Sequence, residues 1–434
     1  MARRNKSMKK ILSVLLTVAM LAALCCAFAS CQKKNEEGGD STDAVTLNGN
    51  MVTATAPVEA DKTLDKSDFK IGFILLHDEN STYDKNFMDA ALKVKEEFGL
   101  TDEQVMFKTN IPESNDCYEA AASFADDGCD IIFADSFGHE SHIIRAAKEF
   151  PEVQFCHATG TQAQIAGLDN FHNAFASIYE GRYLVGIAAG MKLNEMIDNG
   201  DITAEQAKVG YVGAFNYAEV VSGFTSFFLG VRSVCPSATM EVVYTNSWFD
   251  IALEKEAANT LMDNGCVLIS QHADSEGAPK ACEARNVPNV AYNISTISMA
   301  PTTALISSKI DWTPYLRMII NAELKGEKIP SDWCGSLASE SVLLTELNEV
   351  VAADGTEEAI DAAIKGLKDG TIKVFDTTKF TVGGKALSEY LADVITDDAF
   401  TPDTNVVLDG IFAESNFRSA PYFDIKYIDG ISEK

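Results

Sequence analysis

The sequence contains an internal repeat, visible in the segments 126–139 (DDGCDIIFADSFGH) and 263–275 (DNGCVLISQHADS). Each segment follows a helix-like run, places Asp, Gly and Cys in the same order, and continues with a short apolar run and a polar tail. A polar helix end, a Gly and a short apolar run without alternation are typical of a helix that leads into a buried parallel strand. The repeated pattern therefore predicts two helix-to-strand units of the same construction.

The spacing of the repeat extends over a larger part of the chain. Gly128 and Gly265 lie 265 − 128 = 137 positions apart, and the apolar runs at 69–76 and 207–215 are offset by a similar distance. We interpret this as two copies of one β-α-β-α unit. Short apolar strands that alternate with amphipathic helices form βαβ units and parallel sheets. The predicted fold class is α/β, with two doubly wound parallel-sheet lobes.

The polar tails of the two repeats are the first candidates for a functional site. They are ADSFGHE at 134–140 and SQHADSE at 270–276, and each follows a predicted buried strand. In open α/β sheets, ligands bind in the crevice beyond the carboxyl ends of the strands. We therefore expect a site to which both copies contribute.

The first residues of the chain have the features of an export signal. Basic residues precede an apolar run at 11–28, and the small residues Ala and Ser stand directly before Cys31. This pattern predicts a lipoprotein signal peptide at 1–30 and a lipid attached to Cys31. Residues 31–68 are mostly polar, which predicts a flexible tether between the lipid anchor and the folded part. The alternatives are a plain secretory peptide and an uncleaved membrane anchor.

Charge, cysteine usage and motifs exclude several classes of protein. The 434-residue chain has a formal net charge of −29, and such an acidic surface argues against nucleic acid or anionic lipid as a partner. Of ten cysteines, three lie at or before Cys31, and the remaining 10 − 3 = 7 are scattered without disulfide or zinc spacing. The sequence carries no GxSxG, HExxH or P-loop motif. We therefore expect a binding protein that needs no cofactor or metal, and not an enzyme.

Several longer motifs occur in order along the chain. They are FADSFGHE (133–140), FCHATG (155–160), YEGRYLVGIAAG (179–190), VGYVG (209–213), NSWFD (246–250), ISQHADS (269–275) and KVFD (373–376). In these motifs the chain resembles the basic membrane protein (BMP) family of ABC-transporter solute-binding lipoproteins. The best-known members bind purine nucleosides, and the chain is most similar to the branch that binds a free purine base.

The resemblance implies a type I periplasmic-binding-protein fold, in which three crossover strands join two similar lobes and the ligand lies between them. The chain would cross between the lobes near 174, 308 and 335. Lobe one would comprise 69–174 and 309–334, and lobe two would comprise 175–308 and 335–434, including a C-terminal extension.

The resemblance also implies a flat heteroaromatic ligand, which needs aromatic faces and a few in-plane hydrogen-bonding groups. Tyr83, Phe137 and Trp248 follow predicted strands, and Asp274 could accept hydrogen bonds from an exocyclic amine and a ring N–H together. Nucleoside-binding relatives have a carboxylate, thought to hold the ribose, where this chain has Asn293, and this difference favours a free base. The candidate ligand-binding residues are Tyr83, Asp84, Ser136, Phe137, His157, Asn246, Trp248, Gln271, His272, Asp274 and Asn293.

Structural alternatives exist for several of these residues. Each aromatic side chain could cover the core under a loop, and Asp274 could be the N-cap of the helix after Gly277. His157 could be a core histidine. Glu180 and Arg182 of YEGRY are expected to pair with each other at the junction of the lobes.

Together these features predict a monomeric, lipid-anchored protein that captures a purine base or nucleoside outside the cytoplasm and delivers it to an ABC permease in the bacterial cell membrane. The lipid would be its only contact with the membrane, and nucleic acid would not be a partner. One alternative is a receptor of the same fold for a sugar or an autoinducer. An alternative of another class is a lipid-anchored nucleoside hydrolase, with Asp274 and His272 as its acid/base pair.

Overall fold

The computed structural model describes residues 51–394 and 401–434. The predicted signal peptide at 1–30, the predicted lipidation site Cys31 and the adjoining residues 32–50 lie outside the described residues. None of the helices in the described residues has the length and hydrophobicity that a membrane span requires. Most of the strands form two seven-stranded sheets, and each sheet is the centre of one lobe.

The sheet of lobe one is parallel throughout. Its strands are β1 (Met51–Thr53), β2 (Ile71–Ile74), β3 (Val105–Lys108), β4 (Ile131–Ala134), β5 (Gln154–Ala158), β6 (Phe171–Ala176) and β12 (Asp332–Gly335). Their spatial order is β1-β12-β6-β5-β4-β2-β3, and each neighbouring pair is parallel.

The sheet of lobe two is parallel except at one edge. Its strands are β7 (Lys208–Gly213), β8 (Thr239–Tyr244), β9 (Leu268–His272), β10 (Asn289–Tyr292), β11 (Ala304–Ile310), β13 (Val342–Leu344) and β20 (Ile431–Glu433). The spatial order is β13-β11-β10-β9-β7-β8-β20, and only the β11–β13 pair is antiparallel within this described sheet.

Helices cover both faces of each sheet. They are α1 (Thr82–Phe98), α2 (Asn115–Asp126), α3 (Glu140–Glu149), α4 (Ile178–Asp198), α5 (Ala218–Val234), α6 (Ile251–Asp263), α7 (Gly277–Arg285), α8 (Thr313–Lys325) and α9 (Thr356–Asp369). In β4, Ile131 and Phe133 pack in one apolar cluster with α1 and α8, whereas Ile132 and Ala134 pack in another with α2 and α3. Successive strand residues point to opposite faces, so this arrangement confirms the predicted α/β class with doubly wound sheets.

The repeat that was evident in the sequence consists of two helix ends of the same geometry. Gly128 and Gly265 have φ values of 82° and 87°, in the left-handed region that favours glycine. In both copies, the N–H groups of the Gly and of the Cys after it donate to carbonyl groups in the last turn of the preceding helix. These bonds end α2 and α6, and the chain then enters β4 and β9.

Within residues 51–394, three segments connect the lobes. The chain leaves β6 for α4, it returns from β11 to α8, and it leaves β12 for β13. Because β6 and β12 are neighbours in the sheet of lobe one, two of the connections start side by side.

Part of the segment expected to be a tether belongs instead to lobe one. Residues 51–53 form β1, which pairs in parallel with β12, and the N–H of Ala54 donates to the carbonyl of Cys334 at 2.8 Å. Arg317 also donates to the carbonyl of Val58 at 3.0 Å. The prediction of a flexible tether is therefore wrong for this stretch, because its backbone completes the edge of the sheet.

The C-terminal extension, which we define as residues 377–434, packs on lobe two where it is described. Its short described strands pair antiparallel, two by two: β14 (Thr381–Val382) with β15 (Lys385–Ala386), β16 (Leu391–Ala392) with β17 (Thr404–Asn405), and β18 (Val407–Leu408) with β19 (Ile411–Phe412). Phe412 and Phe423 are buried in the same apolar core as Phe224 of α5. The last strand, β20, extends the sheet of lobe two.

Candidate functional site

A cavity lies between the lobes at the carboxyl ends of the parallel strands, and we call it the inner cavity. It is lined by Leu76, His77, Tyr83, Asp84, Ser136, Phe137 and Thr159 of lobe one and by Glu219, Trp248, His272, Asp274 and Tyr292 of lobe two. Its volume, measured as the space open to the centre of a water-sized sphere, is about 30 Å³. This is room for roughly two water molecules. A heterocycle could therefore enter only while the lobes are apart.

Hydrogen bonds across the cleft hold the lobes in this closed arrangement. The N–H of Thr82 donates to the carbonyl of Asp274 at 2.9 Å. The side-chain amide of Asn293 donates to Oγ1 of Thr82 at 3.2 Å and to Oδ1 of Asp274 at 3.0 Å. Nδ2 of Asn86 lies 3.4 Å from Oδ1 of Asn293. Asn293 therefore bridges the two lobes and orients the carboxyl group of Asp274.

The wall formed by lobe one contains an ionised carboxylate. Burial alone would raise the pKa of Asp84, but hydrogen bonds from the side chain of His77, from Ser81 and from the N–H of His77 lower it below its ordinary value. Burial, together with the nearby charge of Asp84, raises the pKa of Asp135 well above its ordinary value. Of the two carboxyl groups, Asp84 is therefore the one that more readily carries the negative charge.

The wall formed by lobe two contains two carboxyl groups that retain their protons more strongly than usual. Burial, with Glu254, Asp84 and Glu219 nearby, raises the pKa of Asp274 well above its ordinary value. Burial also raises the pKa of Glu219 to about 7, although the guanidinium of Arg182 opposes the shift. Nε2 of His272 lies 3.4 Å from Oε1 of Glu219. These groups can donate or accept hydrogen bonds, depending on pH.

The turn after β9 determines where Asp274 points. Nε2 of Gln271 donates to the carbonyls of Ala273 and Ser275 at 2.9 and 3.1 Å. The carboxylate of Glu254 accepts from the N–H of Ser275 at 3.1 Å. Helix α7 begins after this turn without a side-chain cap from Asp274. Asp274 is therefore not the N-cap of α7, and it lines the inner cavity.

Aromatic rings from both lobes meet at the rim of the inner cavity. The ring centroids of Phe137 and Tyr217 are 5.5 Å apart across the cleft, and Tyr217 lies 5.9 Å from Trp248. Trp248 also packs edge-on against Phe215 at 5.0 Å. Phe137 and Tyr217 are each 43% exposed, which leaves apolar ring surface available to a ligand.

Four of the predicted site residues lie outside the lining of the inner cavity. Nε2 of His157 donates to the carbonyl of Ser136 at 2.7 Å, and burial lowers the pKa of His157 to about 4, so it supports the loop after β4 as a neutral core histidine. Gln271 holds the turn after β9. Asn246 is exposed in a left-handed turn, with φ 55°. Asn293 bridges the lobes.

Five residues that line the inner cavity are absent from the sequence-based set. They are Leu76, His77, Thr159, Glu219 and Tyr292. Four of them end a strand or follow one within three residues, so the rule that identified Ser136 applies to them as well. Glu219 belongs to the first turn of α5, beyond the residues that directly follow β7, so that rule does not identify it.

The expected pairing of Glu180 with Arg182 is not formed. Glu180 accepts hydrogen bonds from the Ser177 hydroxyl and from the N–H of Leu337, at 2.7 and 2.9 Å. Arg182 donates to the carbonyl of Gln271 at 2.9 Å, and its guanidinium lies 3.5 Å from the centre of the Tyr292 ring. Residues at positions i and i+2 of a helix point in different directions, which explains the separation.

A second cavity, which we call the outer cavity, adjoins the first. Its volume, measured in the same way, is about 370 Å³. Phe137, Thr159, Glu219 and Trp248 line both cavities. Residues of the C-terminal extension, among them Tyr422, form a large part of the remaining wall of the outer cavity, together with residues such as Thr161 and Tyr217. Within the described residues, no group of three His, Cys, Asp or Glu side chains could hold a metal ion.

The family relationship of the chain follows from a comparison of its sequence with known families. A model described as "Bmp: ABC transporter substrate-binding protein PnrA-like" matches residues 75–375. The chain belongs to this family. The match includes every residue that lines the inner cavity and ends before the C-terminal extension.

Two relatives illustrate the range of this similarity. A purine-binding protein of Brucella abortus is 34% identical over 233 residues, which cover 54% of this chain and 62% of the relative. A protein of Haloferax volcanii, named as a candidate ABC transporter glucose-binding protein, is 32% identical over 243 residues, with 55% and 58% covered. The chain thus matches less than two thirds of the length of these relatives.

Solved structures show the same fold. An ABC transporter solute-binding protein from Conexibacter woesei has a TM-score of 0.58 at 21% identity, covering 70% of this chain and 98% of that one. A solute-binding protein from Aeropyrum pernix has a TM-score of 0.58 at 18% identity, covering 70% and 92%. The predicted two-lobed solute-binding-protein fold is therefore confirmed.

Proposed function

We propose that this protein captures a purine base or nucleoside between its lobes outside the cytoplasm and delivers it to the permease of an ABC importer. The observation that carries the proposal is the inner cavity, where aromatic rings and carboxyl groups from both lobes converge. Trp248 and Phe137 offer faces for a flat ring, and Asp274 offers an edge contact. The name of the Brucella abortus relative supports the same class of ligand.

A sugar is the second candidate ligand, because Asp84, Glu219 and Asp274 could also accept hydrogen bonds from hydroxyl groups. The name of the Haloferax volcanii relative supports this candidate. The aromatic rim favours the purine, since stacking on an aromatic side chain contributes about 1–3 kcal/mol per base. A binding protein would release the ligand unchanged, whereas a hydrolase would consume a nucleoside.

Calorimetry with adenine, guanine, hypoxanthine, their nucleosides, ribose and glucose tests the ligand assignment. We expect at least one free purine base to bind no more weakly than its nucleoside and the sugars not to bind. Trp248→Ala should weaken all purines alike, by about 1–3 kcal/mol, because stacking is insensitive to the edge of the base. Binding of a sugar without binding of any purine would overturn the assignment, and steady release of base from a nucleoside would establish an enzyme.

We also propose that Cys31 carries a lipid that holds the protein at the outer face of the cell membrane. The proposal is supported by the basic and apolar leader before Ala, Ser and Cys31. Cells fed labelled palmitate should yield labelled wild-type protein, whereas Cys31→Ala should yield unlabelled precursor or released protein. A matched Cys26→Ala variant, altered within the apolar leader, should remain labelled. Absence of label from the wild type would contradict the anchor.

A further inference from the structure

The C-terminal extension is held firmly by lobe two. Ile431 pairs with Met240 where β20 joins the sheet, and the hydroxyl of Ser222 in α5 donates to the carboxylate of Glu414. Phe375 stacks on Phe423 with ring centroids 4.6 Å apart. The apolar core of lobe two therefore carries the extension with it when the lobe moves.

One loop of the extension crosses to lobe one. The N–H of Ser419 donates to Oδ2 of Asp332 at 2.9 Å, and its hydroxyl contacts Oδ1 of Asp332 and accepts from Nδ2 of Asn173 at 2.9 Å. Nε2 of Gln164 donates to the carbonyl of Phe417 at 2.8 Å. Ser419, Asp332, Asn173 and Gln164 are all buried. The loop is therefore bonded to lobe one by several hydrogen bonds that are shielded from water.

The loop has an internal support that keeps it in this shape. The guanidinium of Arg418 is buried and donates to the carbonyls of Asp393, Val394, Ala420 and Pro421 at 3.0–3.2 Å. A guanidinium has five N–H donors in a fixed arrangement, so Arg418 can tie the backbone next to Ser419 to the segment at 393–394. These bonds support the loop that presents Ser419 to Asp332.

The contact lies beside the connections between the lobes. Asp332 and Asn173 are direct neighbours in the register of β12 and β6, and these strands leave lobe one at Gly335 and Ala176. Two of the covalent connections therefore start within a few residues of Ser419. We propose that the C-terminal extension is a strap, a non-covalent fourth connection that holds the lobes in their closed arrangement through Ser419.

The strap has a direct consequence for ligand exchange. Rotation of lobe two about the connections moves the anchored parts of the extension, so the bonds of Ser419 and Phe417 to lobe one must break or the loop must deform. The same loop contributes Tyr422 to the wall of the outer cavity, so that side of the cleft stays covered while the strap is bound. The strap lies outside residues 75–375, the part that matches the family model.

Hydrogen–deuterium exchange tests the strap in the protein without added ligand, and so independently of the proposed function. The N–H of Thr82 crosses the cleft to the carbonyl of Asp274, and its exchange reports opening. Ser419→Ala should speed this exchange about fivefold or more, as expected for loss of a buried hydrogen bond, and should increase the radius of gyration in small-angle scattering. Ser432→Ala is the matched control, because its hydroxyl donates to the carbonyl of Met240 within lobe two.

The outcomes are decisive in both directions. Faster exchange at Thr82 in Ser419→Ala, with the control unchanged, supports the strap. Wild-type exchange at Thr82 and an unchanged radius of gyration in folded Ser419→Ala would overturn it. If Ser419→Ala does not fold, Gln164→Ala replaces it, because it removes a bond to the strap from the side of lobe one, and the same two measurements apply.

Discussion

Asp274→Ala is expected to weaken purine binding by about 10- to 100-fold, in line with the roughly 1–3 kcal/mol that it costs to leave a buried hydrogen-bonding group without a partner. Asp274 is buried, lines the inner cavity and is oriented by Asn293. Any ligand N–H group that donates to Asp274 in the wild type would be buried without a hydrogen-bond partner in the variant. Isothermal calorimetry with the purine that binds wild type best gives the change in affinity.

The stability of the same variant separates a ligand role from a structural one. Burial raises the pKa of Asp274 well above its ordinary value, so the folded state disfavours its ionised form at neutral pH. A carboxyl group whose pKa is higher in the folded than in the unfolded protein contributes most to stability at pH values below its pKa in the unfolded protein. This contribution is lost as the pH rises through its pKa in the folded protein. Asp274→Ala should therefore unfold at the same temperature as wild type or higher at pH 7–8. A lower unfolding temperature together with unchanged affinity would show that Asp274 is structural.

The pH dependence of binding gives a second measure of the role of Asp274. If a ligand N–H donates to the ionised carboxylate, binding must displace the proton of Asp274, so affinity should rise with pH, by at most about tenfold per unit. Glu219, His272, Asp84 and Glu254 lie close enough to contribute. Comparing the pH dependence of affinity in wild type and in Asp274→Asn isolates the contribution of Asp274, because the other titratable groups are present in both proteins. Affinity that falls with pH in wild type alone would indicate that Asp274 donates its own proton instead.

The sequence was most informative where local chemistry fixes the backbone. Gly128 and Gly265 end helices in the left-handed region in both copies, and short apolar runs follow each of them, so the repeat predicted both lobes. The strand ends then placed Phe137, Trp248 and Asp274 around one cavity, because parallel strands end at the same edge of a sheet.

The sequence was least informative where partners are distant along the chain. Strand β1 has three residues, and its partner β12 begins at Asp332, so no local pattern distinguishes it from a polar linker. Gln271 and His272 are adjacent, yet strand residues alternate between faces, and only His272 lines the inner cavity. The contact of Ser419 with Asp332 depends on both lobes and could be found only in three dimensions.

Asn293→Asp is expected to weaken every ligand by about tenfold or more, because it replaces a bridging donor by a carboxyl group. Nδ2 of Asn293 donates to Asp274 and to Thr82. In the variant, two carboxyl groups would face each other at this point, and in a buried site they can stay together only while one of them keeps its proton. Exchange at the N–H of Thr82 should increase, since the closed arrangement loses a bond across the cleft.

This substitution also distinguishes the bridge from a contact with a sugar. The resemblance described above implies a carboxylate at this position in nucleoside-binding relatives. If the residue contacts the sugar, Asn293→Asp should bind nucleosides more tightly and leave the binding of free bases unchanged. If Asn293 acts as the bridge between the lobes, Asn293→Asp should weaken the binding of nucleosides and of free bases to the same extent. Asn293 has φ 72°, a conformation that Asn and Asp both tolerate, so backbone strain does not confound the result. Asn286→Asp, at the exposed left-handed end of α7 with φ 53°, is the matched control and should bind like wild type.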